Sequence, residues 1–212
     1  MKKMMAVFLA LAMLMAGVAA FGEEASQQET PRNLVVYFSV AENSEVDAVS
    51  SASVMEWDGE TVGIISVLAN MIHQQVGGDL YSIDTAVEYP STTIIDFAAE
   101  EQDRNDRPEL LNHIENLDDY DTIYIGYPIW WYDLPMAMYS FFDEYDFSGK
   151  TIVPFCTHNG SRFSGTIQTI QELEPDATVI EDGFTVNERD VGDAQQDVLT
   201  WLEDLNLDFN AE

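Results

Sequence analysis

Thr122-Ile123-Tyr124-Ile125-Gly126-Tyr127-Pro128-Ile129-Trp130-Trp131-Tyr132-Asp133 is the stretch that decides how this chain folds. Its first half is apolar at consecutive positions and rich in β-branched and aromatic residues. A strand wetted on one face alternates apolar with polar residues, whereas a strand covered by helices on both faces has no such need. The second half begins with proline and sets two tryptophans side by side, which predicts a loop leaving the carboxyl end of a buried strand.

Runs of the same kind recur on either side, at residues 34–38, 80–83, 151–155 and 178–180. Pro154 is awkward inside the fourth of the five, because it has no N–H for a ladder. Helical patterns fill the intervals. Residues 63–76 place Ile64, Leu68, Met71 and Ile72 on one stripe, and Gly77-Gly78 stops them. Further helices are predicted over 92–101, 109–117, 134–145, 164–173 and 190–205. Strands alternating with helices predict a doubly wound α/β domain, a three-layer sandwich around a parallel sheet. Right-handed crossovers then bring three loops to one edge of the sheet, over 39–62, 127–133 and 157–165.

Composition narrows the function. A chain of 212 residues that is 46% hydrophobic and 11% aromatic can bury a core. Lys and Arg total 8 against 39 Asp and Glu, a net charge of −31 that disfavours nucleic acid and anionic membrane surfaces as partners. One cysteine, Cys156, excludes a disulfide framework and a cysteine zinc site; at the end of a buried strand it reads as a small packed residue. Lys2-Lys3, an apolar run over 4–15 and the small residues Ala16-Gly17-Val18-Ala19-Ala20 predict a signal peptide over 1–20, the rival being an uncleaved anchor. The apolar run is shorter than the ~20 residues of a spanning helix. The expectation is an exported protein, extracellular or in the cell envelope, with no stable membrane insertion after processing. Residues 21–32 read as a flexible lead-in and 33–208 as the domain.

The loops carry the chemistry. Trp130 and Trp131 suit a flat aromatic ligand by stacking, or else cap the core or form a partner patch. Thr157-His158-Asn159-Gly160-Ser161-Arg162 is rich in small and donor residues ahead of a helix, which suits backbone N–H contacts to a polar ring edge or an anion. No second ligand stands at metal spacing from His158, so it reads as a loop hydrogen-bonder and no metal site is expected.

Four stretches, 33–39 (NLVVYFS), 76–83 (VGGDLYSI), 107–135 and 142–161, with YPIWW followed at the right distance by PFCTHNGS, resemble the flavodoxin superfamily. The resemblance covers most of 33–205 and implies a five-stranded parallel sheet in the order 2-1-3-4-5 with FMN held by the three loops. It implies Ser39 and the helix start at Gly63, Ile64 and Ile65 at the phosphate. Pro128, Ile129, Trp130 and Trp131 would flank the isoalloxazine, and Thr157, His158, Gly160 and Ser161 would meet its other edge. The chain departs from the family at Ile64-Ile65, where the family has an amide and a hydroxyl. In the first loop, Asp47-Ala48-Val49-Ser50-Ser51-Ala52-Ser53 is similar to the motif at which exported flavoproteins receive FMN covalently, which implies attachment at Ser53 by an exported flavin transferase; the competing reading is a solvated serine-rich loop. The expected function is low-potential electron transfer outside the cytoplasm to a redox partner, a basic one given the acidic surface. The alternatives are an FMN-dependent NAD(P)H:quinone-type oxidoreductase and a flavin-free relic of the fold.

Overall fold

The computed structural model describes residues 32–41, 54–90, 93–205 and 207. The predicted signal peptide, the lead-in before Arg32 and the motif over 47–53 lie outside them. Strand β1 (Asn33–Phe38) is buried along its whole length. Leu34, Val36 and Phe38 enter one apolar cluster, and Val35 and Tyr37 enter another. This split is the physical content of an apolar run without alternation: each residue finds a core whichever way it points. Helix α1 (Ile64–Val76) and the carboxyl-terminal helix α5 (Gln195–Leu205) cover one face of the sheet. Helices α2 (Ile94–Arg104), α3 (Met136–Glu144) and α4 (Thr166–Leu173) cover the other.

The principal sheet is parallel. Strand β1 lies between β4 (Asp79–Ile83) and β5 (Thr122–Pro128), and β5 pairs onward with β6 (Thr151–His158). The outer place beside β6 is shared by two short strands. Strand β7 (Thr178–Val179) pairs with the start of β6 and β8 (Phe184–Asn187) with its end, both parallel. In chain order, with β7 and β8 taken as one broken strand, the arrangement is the expected 2-1-3-4-5. The break explains how Pro154 is tolerated. Thr151 N–H and Thr157 C=O bond on the β5 side of β6, while Ile152 and His158 carbonyls accept from Ile180 and Glu188 on the opposite side. Backbone groups alternate sides along a strand. The N–H that Pro154 lacks therefore falls in the gap between β7 and β8, where Gly183 lies so close to the Pro154 carbonyl that a Cβ would sit 2.3 Å from it.

Two expectations are corrected. Residues 109–117 are not helical; Leu110 bridges antiparallel to Thr85, Leu111 N–H donates to Asp84 C=O (2.8 Å), and only Leu117–Asp119 form a short 3-10 turn. Asn112 accounts for the difference. Its Oδ1 accepts from Asp84 N–H at 2.9 Å and its Nδ2 donates to Ser82 C=O at 2.7 Å, so the side chain competes with helical pairing and laces the segment to the end of β4. The first loop is not all loop: β2 (Val54–Trp57) and β3 (Glu60–Gly63) form an antiparallel hairpin that runs directly into α1. Asp58 and Gly59 take φ of 53° and 84° at its turn, the pairing of left-handed residues that a two-residue hairpin requires.

Candidate functional site

The carboxyl edge of the sheet gathers the ends of β1, β5 and β6 with the start of α1. The start of α1 has no side-chain cap and no acid in its first turn. The N–H groups of Ile64, Ile65 and Ser66 have no acceptor within the helix, and the helix dipole favours negative charge there. The side chains offer little: Ile64 and Ile65 are buried in the α1 cluster, and Ser66 donates its hydroxyl to Gly63 C=O at 2.8 Å. Ser39 is buried at the end of β1. Ser53 lies outside the described residues; it immediately precedes Val54, whose ladder partner is Gly63, the residue that caps α1.

Strands β5 and β6 run further than their sequence patterns suggested, so Tyr127, Pro128 and Thr157 belong to the ladder and are buried, and Ile129 N–H continues the pairing to Thr157 C=O at 2.8 Å. The chain then reverses within two residues. Trp130 and Asp133 exchange both backbone hydrogen bonds, and Trp131 and Tyr132 occupy the turn at φ of 47° and 65°. This geometry sends the tryptophans apart. Trp130 is fully buried, edge-on to Phe38 and Tyr89 with ring centroids 5.6 Å away in each case, and cannot flank an exposed ring; the expectation of a stacking role for it is corrected to a core role. Trp131 is 50% exposed and Tyr132 72% exposed. The Trp131 indole N–H donates to Ile95 C=O at 2.6 Å, which fixes the ring, and Gln102 Nε2 donates to Trp130 C=O at 2.9 Å behind the turn.

The loop after β6 is anchored at both ends. Thr166 donates its hydroxyl to Phe163 C=O at 2.7 Å, so the 3.0 Å contact between Tyr127 and Thr166 hydroxyls has Tyr127 as donor and pins the start of α4 to β5. Gly160 N–H donates to His158 Nδ1 at 2.8 Å. That bond leaves the neutral imidazole with its proton on Nε2. Partial burial and the nearby Arg162 guanidinium both push the His158 pKa down, so the ring is neutral at pH 7. Gly160, Arg162 and Ser164 all have positive φ (100°, 53° and 51°), and Ser161 is half-buried beside them. Cys156 packs beneath, its thiol pushed up to about 12 by burial. Among the described residues no group of His, Cys, Asp or Glu could hold a metal ion.

A planar ring with one polar edge would find two kinds of group at this edge of the sheet: Trp131 follows β5 and His158 ends β6, strands paired up to Pro128 and Thr157, and His158 keeps its proton on Nε2. The amides at the start of α1 fit a phosphate through backbone contacts alone. Sequence reasoning missed the buried supports of this site. Tyr89, Gln102 and the acid Glu101 stand behind the aromatic turn, and Glu101, buried with Asp106 nearby, has its pKa pushed up to about 7. Nothing local in the sequence marks them. The hairpin had a signal, Asp58-Gly59 between two β-type runs.

The fold and the position of this edge define a doubly wound α/β protein of the flavodoxin type. The sequence model of the family described as Flavodoxin matches residues 53–205, and the chain belongs to that family. Among solved structures it is similar to a candidate flavoprotein from Bacteroides eggerthii, 26% identical with a TM-score of 0.64 over 84% of this chain and 99% of that one. A second, from Bacteroides uniformis, is also 26% identical, with a TM-score of 0.64 over 82% and 99%. A Lactobacillus acidophilus flavoprotein crystallised in complex with FMN is 17% identical, with a TM-score of 0.53 over 78% and 99%, a likeness of fold alone. No curated protein matches the sequence significantly.

Proposed function

We propose that this chain binds FMN at the carboxyl edge of β1, β5 and β6 and serves as a low-potential electron carrier outside the cytoplasm. The observation that carries this reading is the half-exposed Trp131 ring, held by its bond to Ile95 on a left-handed turn after β5, the strand that pairs with β6 up to Thr157. Family membership and the FMN complex of the Lactobacillus flavoprotein support it. When bound, the flavin supplies the one- and two-electron chemistry. The chain's own residues bind and tune. Trp131 offers a stacking face, His158 Nε2–H and the N–H groups after β6 face the polar edge, and the first amides of α1 receive the phosphate. A net charge of −31 disfavours accumulation of negative charge on the reduced ring and favours docking onto a basic redox partner.

Attachment at Ser53 is part of the proposal. The chain offers the phosphate no side-chain donor at Ile64 or Ile65, and a bond to Ser53 Oγ would hold the flavin on an exported protein. An exported flavin transferase would form that bond from a flavin dinucleotide, the phosphoanhydride P–O bond breaking and a nucleoside monophosphate leaving with the proton balance. Proximity supports it, because Ser53 is one peptide link from the ladder partner of Gly63. The test is an intact-mass spectrum of the processed protein from its native host. The expected mass exceeds that of the polypeptide by one FMN group and loses that increment in Ser53→Ala; an unmodified native protein refutes the attachment, and a colourless one refutes flavin binding as well. Mixing flavin-loaded protein with NADH and NADPH separates the carrier from an oxidoreductase, since rapid bleaching by either nucleotide belongs to the enzyme.

A further inference from the structure

The outer flank of α1 carries a feature that the flavin edge does not use. Ser66, Asn70 and Gln74 follow one another at four-residue spacing as a polar rail, and Val67 and Met71 lie beside them as an apolar one. The hairpin supplies Trp57 and Val62 and the start of α5 supplies Gln195, and together these side chains line a groove of about 320 Å³, open among the described residues. That volume falls in the range of small-ligand sites. Trp57 is 37% exposed and braced: a Cβ on Gly192 would lie 3.3 Å from its ring, so the indole rests on the turn Val191–Asp193. Asn70 Nδ2 donates to Ser66 C=O at 2.8 Å and keeps its Oδ1 for another partner, and the amide heads of Gln74 and Gln195 bond to no described residue.

Charge sets this groove apart. No carboxylate lines it, in a chain with 39 acidic residues, whereas Asp143 and Glu144 line the cleft beside α3 and Glu181 and Asp182 the one beside β7. Strand alternation turns Glu56 to the other face of the hairpin, where it accepts from the Thr61 hydroxyl at 2.6 Å. A cation therefore meets no partner in the groove, and an anion must approach through the surrounding negative charge. A peptide strand would need a sheet edge to pair with, and the floor here is helix, whose interior backbone groups are spent on one another. A neutral polyol fits the chemistry that is left. A sugar ring shows C–H groups on one face, which pack on an indole, and hydroxyls around its rim that both donate and accept, as amide side chains do. We propose that the chain binds a neutral carbohydrate in this groove, with Trp57 against the apolar face of a sugar ring and the amides of Asn70, Gln74 and Gln195 at its hydroxyls. None of these side chains is assigned to the flavin, so the groove can be filled whether or not FMN binds.

The experiment titrates the full chain with maltose, cellobiose and N,N′-diacetylchitobiose in turn, with and without FMN, by calorimetry and backbone amide NMR. At least one sugar should saturate at one equivalent and shift amides of 57–62, 66–74 and 195. Trp57→Leu keeps apolar bulk and removes the flat ring, and should weaken binding about tenfold. Gln195→Ala, at an exposed position, should weaken it by about threefold to tenfold, and Gln168→Ala, an exposed amide on α4, should leave it unchanged. Amide spectra that match the parent outside the groove show that each variant is folded. Saturable sugar binding in protein that takes up no flavin upholds the groove even if the FMN reading fails. No saturable binding of any of the sugars, equal weakening in Gln168→Ala, or displacement of the sugar by FMN overturns the proposal. So does a concentration-dependent dimer that Trp57→Leu abolishes in sedimentation, which would give the groove to a second copy of the chain.

Discussion

Two neighbouring residues in the aromatic turn should answer glycine substitution with opposite signs. Trp131 and Tyr132 both hold positive φ, 47° and 65°. A side chain in that region costs about 1–2 kcal/mol, and glycine removes this cost while adding about 0.5–1 kcal/mol of unfolded-chain entropy, so the net relief is roughly 0.5–1 kcal/mol per site. Tyr132 is 72% exposed, so Tyr132→Gly loses little contact and should stabilise the flavin-free protein by about that amount. In a domain of this size that raises the thermal midpoint by roughly 1–4 °C. Trp131 differs because it is 50% exposed and donates to Ile95 C=O at 2.6 Å. Half of a tryptophan side chain is about 100 Å² of buried surface, worth about 2.5 kcal/mol, and the hydrogen bond adds about 1 kcal/mol. Trp131→Gly should therefore destabilise by about 2–3 kcal/mol despite the relieved backbone. Urea unfolding of the three proteins, followed by the fluorescence of the remaining tryptophans, gives the midpoints. Equal shifts, or a loss in Tyr132→Gly, would show that the turn is not strained and that its aromatic residues are not held there against a backbone cost.

Gly78→Ala should destabilise strongly, by about 2 kcal/mol or more, because φ is 81° and the new Cβ would lie 2.0 Å from the Asn33 carbonyl oxygen; equilibrium unfolding measures it. Glu101 and Glu174 have folded pKa values pushed up to about 7, chiefly by burial. The folded state then binds more protons than the unfolded state above the ordinary carboxylate range, so their contribution is present at acid pH and is lost as pH rises to about 7; Glu101→Gln should flatten that part of the stability profile. For the flavin-loaded protein, one acidic charge at ~10 Å and an effective dielectric of ~40 is worth about 0.8 kcal/mol, roughly 35 mV for one electron. The hydroquinone couple should lie below that of free FMN and rise with added salt as the acidic surface is screened; potentiometry that finds it at or above free FMN would contradict the electrostatic account.

The strands were legible because burial on both faces writes itself as an unbroken apolar run, as in Leu34–Phe38 and in the ladder from Thr122. The edge where the loops converge followed from handedness alone. What was not legible depended on partners distant in sequence. The segment over 109–117 has helical spacing, yet Asn112 finds Ser82 and Asp84 some thirty residues away and the helix does not form. The two tryptophans could not be told apart, because which one enters the core is settled by a turn conformation that aromatic residues seldom adopt and by Phe38 and Tyr89 behind it.

Ile64 and Ile65 concentrate the trade this molecule has made. Fully buried, each contributes about 1.5–3 kcal/mol of apolar stabilisation, and together they fasten α1 to the sheet at the very residues where the family offers an amide and a hydroxyl. A neutral hydrogen bond to an anion is worth about 1.5–3 kcal/mol, so the donors forgone amount to a similar sum on the ligand side. The hairpin of β2 and β3 makes the exchange tolerable. By pairing Val54 with Gly63 it sets the helix start independently of any ligand. Under the proposed attachment, phosphate recognition would pass from side-chain donors to the backbone amides of α1 and the bond to Ser53, while the core keeps both isoleucines.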